Sequence, residues 1–131
     1  MTQLNSAGID GFSIRRAETD DIAPLYVLEQ KSFDTDRISL RSFRRFIAEK
    51  RSDLFLLEVA GTLAGYFLLI YRRGTSLARL YSLAVDPAFR KQGIAERLMQ
   101  QAEKCAASRN CVLLRLEVRF DNIGAIKLYQ K

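Results

Sequence analysis

Apolar and polar positions alternate over Phe12–Arg16, the two-residue period of a strand with one covered face. Thr19, Asp20 and Asp21 then offer an N-cap and an acidic first turn. Ile22, Leu25, Tyr26, Leu28 and Glu29 follow at helical spacing and predict a first helix. The pattern breaks over Phe33–Ile38, where Asp34, Thr35 and Asp36 read as a loop. Ser39 is placed to cap a second helix through Glu49, with Leu40, Phe43, Phe46 and Ile47 on one face.

The next stretch is strongly apolar. Leu54–Val59 and Leu63–Tyr71, separated by Ala60-Gly61-Thr62, predict an antiparallel hairpin. After a turn over Arg72–Ser76, Leu77–Val85 predicts another long strand, which Asp86-Pro87 ends because proline cannot donate to the ladder. Beyond Gly93, the stripe Ile94, Leu98, Ala102, Cys105 and Ala106 predicts a helix, with Asn110 suited to a left-handed cap. Val112–Val118 reads as a fifth strand and Asp121 or Asn122 as the cap of a short last helix to about Tyr129. The order β-α-α-β-β-β-α-β-α predicts an α/β fold: a mixed sheet with helices on both faces.

Composition narrows this picture. The 131 residues show no internal break, so 12–131 reads as one domain after a loose, small and polar arm over 1–11. The start of the chain lacks the basic cluster and apolar stretch of a signal peptide, and no apolar run is long enough to span a bilayer. Two cysteines suggest no disulfide framework, and with no histidine the chain offers no metal site; a cytoplasmic setting fits. The net charge of +6 favours anionic partners. Arg41, Arg44 and Arg45, and the pair Arg72 and Arg73, read first as solvated charges. A basic nucleic-acid-binding domain is a rival class. Against it, the arginines do not interleave with exposed aromatics, and no recognised nucleic-acid module is present.

The candidate chemistry sits in LYSLAVDPAFRKQGIAERL, residues 80–98. A buried strand ends, the chain turns, and a glycine opens a helix. The first turn of that helix has N–H groups without intrahelical partners and the positive end of the dipole, which together make an anion site. Gly93 lets a phosphate approach the backbone, Ala95 is nearly as small, and Arg90 and Lys91 add positive charge. No G-K-S/T and no G-x-G-x-x-G is present, which sets aside the nucleoside-triphosphate loop and the dinucleotide fingerprint.

Arg90-x-x-Gly93-x-Ala95, preceded by Leu83-Ala84-Val85-Asp86-Pro87, resembles the acetyl-coenzyme A motif of the GNAT superfamily of N-acetyltransferases. Downstream, Leu116-Glu117-Val118-Arg119-Phe120-Asp121-Asn122-Ile123-Gly124-Ala125-Ile126-Lys127-Leu128-Tyr129 is similar to a second run of that superfamily, especially its ribosomal-protein alanine N-acetyltransferase branch. The resemblance implies a GNAT-like fold with acetyl-CoA as cofactor. It implies that the backbone of Leu83, Ala84 and Val85 pairs with the pantetheine arm, and that the amide of Val85 or its neighbour polarises the thioester carbonyl. The N–H groups of Gln92, Gly93, Ile94, Ala95 and Glu96 would hold the pyrophosphate beside Arg90 and Lys91. Glu117 is matched to the base that neutralises the attacking amine, and Tyr129 to the acid that protonates the departing thiolate. Without the resemblance, Glu117 reads equally as a sheet-surface charge and Tyr129 as a packing aromatic. Asn122 caps the last helix or binds the pantetheine arm.

The acceptor amine, a peptide N-terminus or a small free amine, is expected to meet Asp34, Asp36, Arg79 and Tyr81. A coenzyme A-binding module without turnover is the remaining alternative. The family normally continues with a G-F or G-Y pair and two more strands, whereas this chain stops at Lys131. That predicts a missing C-terminal pair of strands, an open edge on the fifth strand, and either pairing into a homodimer there or low stability with weak turnover.

Overall fold

The computed structural model describes residues 11–116. Strands β1 (Phe12–Arg16), β2 (Ser52–Val59), β3 (Thr62–Tyr71), β4 (Leu77–Val85) and β5 (Leu113–Leu116) form one sheet in the order β1-β2-β3-β4-β5. The first four run antiparallel in sequence, and β5 lies parallel to β4 in the register Leu77↔Leu113 to Leu80↔Leu116. Helices α1 (Ile22–Ser32) and α2 (Leu40–Ala48) cover one face, and α3 (Ile94–Ser108) covers the other as the β4–β5 crossover. Among the described residues no helix is long and apolar enough to cross a membrane.

Two apolar cores result. On the α3 side, Phe67, Leu69, Leu80 and Leu83 meet Ile94, Leu98, Ala102 and Cys105, which is the stripe read from the sequence. On the α1–α2 side, Leu25, Leu28, Phe43 and Phe46 meet Leu54, Leu56, Tyr66 and Leu68. Gly65 fixes how closely α3 approaches the sheet. A Cβ there would lie 2.8 Å from the Ala84 carbonyl oxygen and 3.1 and 3.2 Å from Leu98 and Ile94. A side chain at that position would lift the first turns of α3 away from β3 and β4.

Several boundaries depart from the sequence reading. Thr19–Asp21 is a 3₁₀ turn that leads into α1; Asp21 is the N-cap residue of α1, but its side chain is spent in a reciprocal capping box with Glu18 across the turn. The β2–β3 turn is tighter than expected, because Ala60 and Gly61 both take positive φ and Val59 pairs directly with Thr62. β2 starts at Ser52, since Asp53 is buried among polar partners that an apolarity count cannot see. On α2, Ser39 accepts from the Ser42 amide as expected, but Leu40 is exposed. β5 opens at Leu113, with Val112, Leu113 and Leu116 exposed, so its described part is not covered on both faces. Asn110 takes the left-handed conformation anticipated for it. The expected last helix lies outside the described residues, as do residues 1–10 of the expected N-terminal arm.

Candidate active site

The site is built where β4 ends. Leu80 pairs with Leu69 and Ser82 with Leu68, so Tyr81 is the extra residue of a β-bulge. The bulge resets the alternation of side chains. Before it, Ala78 and Leu80 face α3; after it, Leu83 and Val85 do. Tyr81 and Ala84 face the α1–α2 side, and alternation puts Arg79 there too. The bulge also sets backbone direction. The Asp86 amide donates to the Ala64 carbonyl at 2.7 Å, and Gly65 stands opposite Val85. In an antiparallel ladder this alternation turns the N–H and C=O of Leu83 and Val85 away from β3, toward the β5 side of β4. The described part of β5 pairs with Leu77–Leu80. The Asp86 amide, one neighbour of Val85, is spent within the sheet.

Beyond Val85, the Asp86 carboxylate accepts from the Ala88 amide and from Lys31 Nζ, both at 2.9 Å. Burial pushes this carboxyl up, but Lys31 and the Ala88 amide outweigh it and hold it below the usual range. The Lys31 contact ties the end of α1 to the turn over Pro87–Phe89. Lys91 and Gly93 then take left-handed φ of 64° and 77°, and α3 begins at Ile94. Gly93 is its N-cap, and among the described residues no side chain caps that end. A Cβ on Gly93 would meet nothing within 4 Å among the described residues.

These observations test whether the residues suit a diphosphate, and they do. The helix presents first-turn donors without a capping side chain, and Arg90, Lys91 and Gln92 are exposed around it. Glu96 is exposed in the same turn, so any anion there is held by backbone and flanking cations rather than by a uniformly positive surface. Ile94 is buried against the sheet and Ala95 is half-buried, which fixes the direction of their amides.

The α1–α2 loop lies on the other side of the sheet, with Phe33 and Ile38 anchored in the core against which Tyr81 packs. Asp34 and Asp36 are exposed, and Asp36 is left-handed at φ 53°. Two of the four acceptor candidates, Arg79 and Tyr81, therefore share a face with this loop. Glu117, Asn122 and Tyr129 lie outside the described residues. Cys105 is buried and its thiol is pushed up by that burial, which makes it a poor nucleophile.

The sequence reading passed over Gly65, Lys31 and Glu29. A single glycine inside an apolar strand was the available signal for the first. Lys31 carried none, because its partner is 55 positions away, and Glu29 read only as part of the first helix, because its partners are nine and 37 positions away.

Residues 19–131 match the acetyltransferase (GNAT) family. An acetyltransferase of Sodalis glossinidius is 40% identical over 82 residues, 60% of this chain and 55% of that protein. The chain thus spans about half the length of that relative. The ribosomal-protein-S18-alanine N-acetyltransferase of Escherichia coli shares the fold with a TM-score of 0.76 and 28% identity, over 91% of this chain and 74% of that one. The PaiA N-acetyltransferase of Thermoplasma acidophilum, solved with coenzyme A, superposes with a TM-score of 0.79 at 18% identity, over 91% of this chain and 86% of that one. A bulged β4, an uncapped helix start after it and a family match across both make the assignment: this chain belongs to the GNAT family of acetyltransferases.

Proposed function

We propose that the protein moves an acetyl group from acetyl-CoA directly to a primary amine, and that the amine is a protein N-terminus. The observation that carries the first part is the uncapped start of α3 beside the end of β4. When bound, acetyl-CoA supplies an activated thioester. In this reading the amides of Gln92, Gly93, Ile94, Ala95 and Glu96 hold the diphosphate, with Arg90 and Lys91 alongside. The backbone of Leu83, Ala84 and Val85 would orient the pantetheine arm, and the amide of Val85 or its neighbour would polarise the thioester carbonyl. Asn122 assists in holding the arm, Glu117 accepts a proton from the incoming amine, and Tyr129 supplies one to the sulfur. The peptide N-terminus as acceptor is supported by likeness to the Escherichia coli enzyme and by two exposed carboxylates, Asp34 and Asp36, suited to a cationic amine. Arg79 and Tyr81 complete that side. A reducing cytoplasm suits the two free cysteines.

Two measurements check this. Gly93→Val should weaken coenzyme A binding about 10²-fold in titration calorimetry. Its branched side chain is strained at φ 77°, and it occupies the approach to amides whose hydrogen bonds to a charged group are each worth about 1.5–3 kcal/mol. Undiminished affinity in a folded variant would move the cofactor site elsewhere. An acceptor panel then separates peptides with free N-termini from amino acids, polyamines and aminoglycosides. Higher kcat/KM on the small amines would replace the peptide reading.

A further inference from the structure

Glu29 is fully buried in the last turns of α1, yet the site described so far makes no use of it. Its Oε2 accepts from the Ile38 amide at 2.8 Å, nine residues on, across the α1–α2 loop. Its Oε1 accepts from the Tyr66 hydroxyl on β3. The Tyr66 oxygen lies 3.0 Å from Ser82 Oγ on β4, the residue directly after the Tyr81 bulge. Tyr66 and Ser82 are both fully buried, and Phe43 of α2 packs edge-on against the Tyr66 ring. One carboxylate therefore joins the loop, the helix that precedes it and the two central strands.

Apolar packing already closes this loop, because Phe33 and Ile38 are both buried. Arg37 straps it a second time, its Nε donating to the Phe33 carbonyl. A buried carboxylate adds desolvation cost to a loop that two apolar anchors would close without it. What it adds is geometry. A carboxylate has two acceptor atoms at fixed spacing, and here they fix one amide of the loop relative to one hydroxyl above the β4 bulge. Asp34 and Asp36 are carried on the segment so fixed, and Tyr81 sits on the strand to which it is referred.

We infer that Glu29 is a positioning residue for the acceptor: it sets the distance between loop 33–38 and β4, and through it the affinity for the amine substrate. This rests on the reading of that loop as part of the acceptor groove. Glu29→Gln keeps the shape but replaces charge-assisted hydrogen bonds with neutral ones about half as strong. Tyr66→Phe removes the other end of the link and leaves the ring in place.

The experiment pairs steady-state kinetics with hydrogen exchange on wild type and both variants. Expected are a KM for the acceptor raised about 10-fold and an unchanged KM for acetyl-CoA, since small displacements of positioning groups are costly. The Ile38 amide should exchange about 10-fold faster in Glu29→Gln while the strand amides stay protected. The double variant should lose less than the product of the single losses, because both act through one link. Unchanged protection at Ile38 overturns the inference whatever the acceptor is. So does an acceptor KM that stays put while loop protection falls, or a rise shared equally by both substrates. If coenzyme A binds but no amine is acetylated, the proposed function fails on its own, and the exchange data still decide whether Glu29 holds the loop.

Discussion

Tyr129→Phe is expected to lower turnover by roughly 10²–10⁴-fold, the span usual for loss of a general acid, while coenzyme A binds as before. The reaction creates a thiolate on the departing side, and a phenol near the sulfur spares that charge by giving up its proton. Tyr129 stands at the end of the run Leu116–Tyr129 that resembles the family's second motif, with Glu117 at its start. The segment proposed to hold the diphosphate is a different one, between Arg90 and Glu96, so the two proposed roles are separable by mutation. The Phe variant keeps the ring, so loss of packing is not the cause of the drop. Glu117→Gln should behave differently. Its loss should be greatest at low pH, where little of the amine is already neutral, and should shrink as pH rises. Near-wild-type turnover of Tyr129→Phe across the pH range would remove it from the mechanism, and a Glu117→Gln loss independent of pH would reduce Glu117 to a structural charge.

The strands and helices were legible where the pattern is carried by apolar side chains. The stripe Ile94, Leu98, Ala102 and Cys105 packs as read, and the long run Leu77–Val85 forms a strand with the predicted bounds. Legibility failed where polar groups decide. Ser52 and Asp53 extend β2 because Ser52 Oγ donates to the Phe46 carbonyl and Asp53 accepts from three side chains; neither partnership is visible in a hydropathy pattern. The bulge at Tyr81 was hidden for another reason. Strand periodicity assumes one residue per step, and the extra residue shows only once β3 is laid beside β4. The glycine-led helix start after β4 was readable from a local feature, glycine between strand and helix. The face that Tyr81 takes was not, because the bulge sets it, and neither was the link from the Glu29 carboxylate in α1 to the amide of Ile38.

Asp53 marks the other end of the sheet and gives the largest expected effect on stability. Its carboxylate is buried at the junction of β1, β2, β3 and the residue after α3. It accepts from Arg16 Nη1 at 2.7 Å, Arg109 Nη2 at 3.0 Å and the Tyr71 hydroxyl at 2.5 Å. Arg109 also stacks over the Tyr71 ring, and Arg16 over Phe55. Burial pushes the carboxyl up, but hydrogen bonds from Tyr71, Arg16 and Arg109 outweigh it and hold it below the ordinary range. Burial and the Asp53 charge push the Tyr71 phenol up, so it stays a donor. Asp53→Asn keeps the size but sets an NH₂ group among three donors. The expected cost is about 3 kcal/mol, the low end for breaking a buried pair, because both guanidinium groups keep access to water. That should lower the melting temperature by roughly 10 °C. The pH dependence has a definite sign. A carboxyl whose folded pKa is depressed stabilises fully above its ordinary value of about 3.9, and that contribution drains away as pH falls below it. Wild type and Asp53→Asn should therefore differ most near neutrality and converge in acid. Asp21 and Asp86 are depressed too, by Arg15 and Lys31 chiefly among the groups that lower them, so the variant keeps part of the acid slope. Denaturant titrations of both proteins between about pH 3 and pH 7 measure this difference. A gap that stays constant down to the acid end would mean that Asp53 acts through shape alone and that its charge contributes nothing to the fold.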